Sequence, residues 1–144
     1  MSDLEHAKNE LSDDLGSAKV EALVEAMFLA ATADGEFAPE EALQFAATVG
    51  ALTDRKWEGD ALHRLIGRLS LQLKTDGRQK RIESIAARLP PGKPRETAII
   101  LAAAITASDG EYQASENDLV ADLADKLGVD PERAIELVQK VHRR

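Results

Sequence analysis

The chain reads as an all-α protein of about seven helices, and three features of the sequence predict this. Apolar residues recur at i, i+3, i+4 and i+7 in one segment after another, the spacing of a single helical face. Only five of the 144 residues are aromatic, so the core must come from Ala, Leu, Ile and Val, a composition that favours helix over sheet. No segment alternates apolar and polar residues in the manner of a half-buried strand. There is no cysteine, which excludes disulfides, thiolate metal sites and a thiol nucleophile. Stability therefore rests on the apolar core, and a chain of this length buries roughly 70% of the surface it exposes when unfolded.

Residues 1–16 are polar and weakly periodic and read as an arm or short helix, ahead of one helical domain over 17–144. The first firm helix begins at Ser17, carries Val20, Leu23, Val24 and Met27 on one face, and stops at Asp34-Gly35. Pro39 suits the first turn of the second helix, and Glu40 and Glu41 suit the positive end of its dipole; Phe45, Ala46, Val49 and Leu52 form its buried face. Thr53-Asp54 can cap a third helix with Leu62, Leu65, Ile66, Leu69 and Leu73 inward, ending at Asp76-Gly77. A basic helix follows, with Ile82, Ile85, Ala86 and Leu89 inward and Arg78, Arg81 and Arg88 outward. Three prolines and a glycine over 89–94 break it. Thr97 to Ala107 is apolar all round and belongs at the centre of the fold. The sixth helix carries Leu119, Val120, Leu123 and Leu127 and is stopped by Gly128. Asp130-Pro131-Glu132 then starts the last, with Ile135, Leu137, Val138 and Val141.

The net charge of −8 opposes general binding to nucleic acid. It is unevenly spread: residues 1–73 hold 6 basic and 14 acidic side chains, 74–95 hold 7 and 2, and 96–144 hold 5 and 10. The basic island has no aromatic residue for base stacking, so single-stranded nucleic acid is a poor partner. The longest apolar run, Thr97 to Ala107, falls short of the ~20 residues of a transmembrane helix. The start, Met-Ser-Asp-Leu-Glu, lacks the basic and apolar stretches of a secretory signal, and a cytoplasmic location is the expectation.

The most informative feature is a duplication. Ala33-Asp34-Gly35-Glu36-Phe37 through Glu41 returns as Ser108-Asp109-Gly110-Glu111-Tyr112 through Glu116, 75 residues further on. Each copy lies between an Ala-rich apolar helix and an amphipathic one. The expected architecture is thus two helix–acidic loop–helix hairpins related by a pseudo-twofold axis. The paired motif, Ala-x-Ala-Asp-Gly-Glu-Phe-x-x-x-Glu at Ala31 to Glu41 and Ala-Ser-Asp-Gly-Glu-Tyr-x-x-x-Glu at Ala107 to Glu116, resembles the TerB-like family of bacterial tellurite-resistance proteins. A related module stands at the amino terminus of a membrane-bound DnaJ-type co-chaperone. The resemblance spans about residues 19–141. It implies an all-helical domain, a proposed metal-ion site, and a role in stress-response complexes with a protein partner, an integral membrane protein among the candidates. By motif position the metal would fall on Asp34, Glu41, Asp109 and Glu116. The copies depart from the pattern and from each other: Ala38 stands where such loops often carry Ser, with Gln113 opposite it, and Ser108 replaces Ala33.

Two readings of these loops stand side by side. In the first they hold a divalent cation, Ca²⁺, Mg²⁺, Mn²⁺ or Zn²⁺. Each resembles the second half of an EF-hand, with Asp34-Gly35 at positions five and six and Glu41 at position twelve. Ala30 and Thr32, however, occupy positions one and three, so the full oxygen set is missing. Convergence of the loops would assemble six carboxylates, adding Glu36 and Glu111 to the four above. In the second reading Asp-Gly is ordinary turn chemistry and the glutamates complement helix dipoles. Asp76-Gly77 ends a helix with Arg78 after it, showing that the dipeptide alone signals no site. Yet an Asp at a helix C-terminus costs ~0.3–1 kcal/mol, and here the arrangement occurs twice with a second acid two residues on.

His6, His63 and His142 show no metal-ligand spacing and read as surface residues; no phosphate-cradling glycine loop is present. Trp57 reads as a core anchor, and Phe37 and Tyr112 as residues packing the loops down. The expectation is a non-enzymatic binding or scaffold module of the tellurite and stress-response type, with a divalent cation at the duplicated loops. The alternative is a metal-independent module that docks a protein or an anionic membrane through the basic 74–95 segment.

Overall fold

Seven helices, with no strand among the described residues, run α1 Ala18–Ala31, α2 Pro39–Leu52, α3 Gly59–Asp76, α4 Arg78–Arg88, α5 Lys93–Ala107, α6 Ala114–Leu127 and α7 Pro131–His142. A computed structural model describes residues 18–33, 39–52, 59–107 and 114–142, with the backbone alone at 39, 41, 52, 106–107, 114–117 and 142. Residues 1–16, Phe37, Thr53-Asp54, Trp57 and Tyr112 lie outside that set. The all-α class is as the periodicity predicts.

Two helices form the centre. In α5 everything from Thr97 to Ala103 is buried, as its apolar sequence requires. The other is α1, whose sequence suggests a one-sided stripe but whose residues 22–30 are buried without interruption. The reason is tertiary: α1 packs most extensively on α5 and also touches α2, α3, α4 and α6, so between Ala22 and Ala30 no side of it is left to solvent. Ala22 and Ala26 of α1 and Ala98 and Ala102 of α5 are all buried, and small side chains at such positions let neighbouring helices approach closely. Phe28 on α1 meets Phe45 on α2 edge to face at a centroid separation of 5.9 Å. α7 packs chiefly on α5, burying Ala134 and Leu137.

The helix ends follow local chemistry. Gly77, at φ +84°, donates its N–H to the Leu73 carbonyl at 2.9 Å and lets α4 begin at the next residue. α6 closes in a Schellman turn. Val129 N–H reaches Ala124 O at 2.9 Å, Gly128 N–H reaches Asp125 O at 3.2 Å, and Gly128 sits at φ +70°. Asp130 then caps α7, its Oδ1 accepting the Glu132 N–H at 2.9 Å, as Asp-Pro-Glu predicts. α5 starts at Lys93, earlier than its apolar run, because Pro94 fits the first turn.

The duplication extends to the helix frame. Ala18 and Lys93, which open α1 and α5, are 75 residues apart, and so are Pro39 and Ala114, which open α2 and α6. Burial keeps the same register: Leu23 and Ala98, Val24 and Ile99, Met27 and Ala102, Phe45 and Val120, Val49 and Ala124 are buried at both members of each pair. The position of Glu25 is taken by Ile100 in the second copy, and both are buried.

Candidate functional site

The four residues singled out as metal ligands are placed as follows. Asp34 and Asp109 lie outside the described residues; Glu41 falls in the first turn of α2 and Glu116 in that of α6, each with only its backbone described. Along the chain the first motif falls between α1 and α2 and the second between α5 and α6. Among the described residues no group of three or more His, Asp or Glu side chains is arranged to hold a metal. His63 is exposed, as expected.

The charged centre that the described residues do assemble is elsewhere. Glu25, in the middle of α1, is 1% exposed. Its Oε2 accepts from Arg81 Nε at 2.7 Å and its Oε1 from Arg81 Nη2 at 3.0 Å, and the same Oε1 accepts from Arg88 Nη2. Asp76, at the end of α3, accepts from Arg81 Nη1 at 3.0 Å. Two arginines and two carboxylates balance in charge and tie α1, α3 and α4 into one unit. The hydrogen bond to Glu25, ahead of the opposing effect of burial, raises the Arg81 pKa above the ordinary arginine value.

This corrects the outward placement of the arginines in the basic island. Arg81 is buried, Arg88 is turned to Glu25, and Arg78 donates to Asp122 on α6 at 2.6 Å. Arg95 donates to the carbonyls of Leu127 and Ala86 at 3.0 Å each and of Leu89 at 3.2 Å, tying together the C-terminal ends of α4 and α6. The physical reason lies in the helical register. Arg81, Ile85 and Arg88 stand at i, i+4 and i+7, so both arginines share the stripe of a buried isoleucine and meet the acid that α1 presents there. The outward part of the island includes Lys74 and Lys80, both exposed. Glu25 itself has a sequence signal, a single acid inside the otherwise apolar run Ala22 to Ala31.

A second feature is an apolar groove of about 790 Å³ between α6 and α7. Ile135, which the sequence places among the apolar residues of the last helix, stands on this groove and is 57% exposed. The α7 face that contains Ala134 and Leu137 packs on α5, which leaves Ile135 on the flank. No helix of the described residues is long and apolar enough to cross a membrane.

Comparison of the chain with known protein families, with curated proteins and with solved structures finds no match.

Proposed function

We propose that the chain is a non-enzymatic binding module whose duplicated acidic corners take a divalent cation, of the type that the TerB-like resemblance implies, with a protein partner in a stress-response system. The observation that carries this reading is the common 75-residue offset of the acidic motif, the helices flanking it and their buried positions. A twice-used frame that returns Asp, Gly, Glu and a later Glu to the same place relative to two helices treats those acids as a unit. Hard carboxylate oxygens of this kind suit Ca²⁺, Mg²⁺ or Mn²⁺.

The test is a titration of the isotopically labelled chain with Ca²⁺, Mg²⁺, Mn²⁺ and Zn²⁺, followed by NMR. The reading expects saturable changes at amides 34–41 and 109–116, abolished for the corresponding copy by Asp34→Asn or Asp109→Asn. Weak protein sites of this chemistry have dissociation constants of about 0.1–1 mM. No response at tenfold higher concentration would leave the acids as helix caps and remove the cation from the proposal.

A further inference from the structure

The groove between α6 and α7 is independent of the acidic corners, and its chemistry selects an occupant. Its floor is apolar, with Val120 and Ala124 on α6 and Ile135 and Val138 on α7. The two helices are joined through the tight Gly128 turn, and Ile135 keeps more than half its surface in water, which a large aliphatic side chain does at a continuing cost. The only charged side chains lining it are two acids, Asp125 and Asp130, and neither is ion-paired among the described residues. The cations described on these helices are turned to other partners: Lys126 to Glu83 at 3.9 Å, Arg133 to Glu96 at 3.0 Å, Lys140 to Glu136 at 3.5 Å.

We propose that this groove docks an amphipathic helix of a partner protein, one that lays an apolar face on Ile135 and Val138 and brings Lys or Arg to Asp125 and Asp130. Charge decides between this occupant and the ones closer at hand. Residues 1–17 of the chain itself carry one lysine against five acids and would add repulsion at the rim. A symmetric pairing of two copies through the groove would set four aspartates against one another. A basic amphipathic helix meets both requirements, because helix-in-groove recognition takes its affinity from apolar anchors at i, i+3, i+4 and i+7 and its orientation from flanking charge.

The experiment uses the full chain and three synthetic peptides of equal length. One is an amphipathic helix with leucines on one face and lysines at its flanks, the second has glutamates in place of the lysines, and the third is a scrambled form of the first. Fluorescence anisotropy should show binding of the leucine–lysine helix alone, with NMR shift changes at Val120, Ala124, Ile135 and Val138. Ile135→Ser removes an exposed side chain, so folding is retained, and affinity should fall about tenfold. Asp125→Lys should weaken the lysine peptide several-fold at low salt and admit the glutamate peptide. Equal binding of the scrambled peptide would reduce the effect to the net charge of the chain and overturn the proposal. So would shifts confined to other faces, or no binding. A concentration-dependent dimer that dissolves on Ile135→Ser would assign the groove to a second copy instead.

Discussion

Neutralising Glu25 tests the central ion cluster most directly. Glu25→Gln preserves shape but removes the charge that Arg81 and Arg88 share, leaving two guanidinium groups against Asp76 alone. Each close pair is worth about 4 kcal/mol at an effective dielectric near 20. Desolvation of the buried groups takes back much of that gain. Breaking such a pair from one side is therefore expected to cost about 3–5 kcal/mol, a large share of the about 5–15 kcal/mol by which domains are stable. At about 3 °C per kcal/mol for a chain of this length, the melting temperature should fall by roughly 10–15 °C. Urea unfolding followed by circular dichroism at 222 nm measures the loss in free energy, and a thermal scan at the same wavelength measures the shift in melting temperature. The control is Glu21→Gln, which removes the pair between Arg68 and Glu21, whose side chains are 51% and 28% exposed. That pair should be worth less than about 1 kcal/mol. Ile100, the counterpart of Glu25 in the second copy, suggests the rescue. Replacing Glu25 by Ile together with Arg81 and Arg88 by Met should recover most of the loss, since an apolar cluster of similar volume substitutes well for a buried ionic one. If Glu25→Gln and Glu21→Gln cost the same within about 0.5 kcal/mol, the cluster is screened like a surface pair and the reasoning fails.

Two further outcomes follow from the helix ends. Arg95→Ala should lower stability by about 2–3 kcal/mol, because three carbonyls lose a charged donor at once, and hydrogen exchange should quicken first at the last turns of α4 and α6. Gly128→Ala should cost about 1–2 kcal/mol by equilibrium unfolding, since φ +70° is unfavourable for any residue with a Cβ; a Cβ at this position meets no atom within 4 Å, so a larger loss would point to a cause other than backbone strain.

The parts of the fold that could be read in the sequence are those governed by local rules. Asp130-Pro131-Glu132 marks a helix start because a carboxylate cap and a pre-set proline φ act within one turn. Gly77 and Gly128 mark ends for a similarly local reason. The central place of α5 was visible because Thr97 to Ala107 has no polar side to turn outward. The acidic motif was visible as a repeat, and its place between helices follows from the helix signals around it. Other features were less legible. The stripe Val20, Leu23, Val24 and Met27 predicts one buried face for α1, whereas α1 is enclosed on all sides from Ala22 to Ala30. Arg78, Arg81 and Arg88 look like a solvated face, since charge outside an apolar stripe is ordinarily in water. Ile135 looks like core and stands in an open groove.

The amino-acid order by itself determined the helical class, the helix ends at Gly77, Gly128 and Asp130, and the duplicated acidic motif, because each depends on interactions within a few residues along the chain. The tertiary structure alone decided which sides of those helices face one another. Glu25 and Arg81 are 56 residues apart in the chain, and no local pattern relates them. Only the packing of α1 against α3 and α4 brings the acid and its arginines out of water together, where each becomes stable because the others are there.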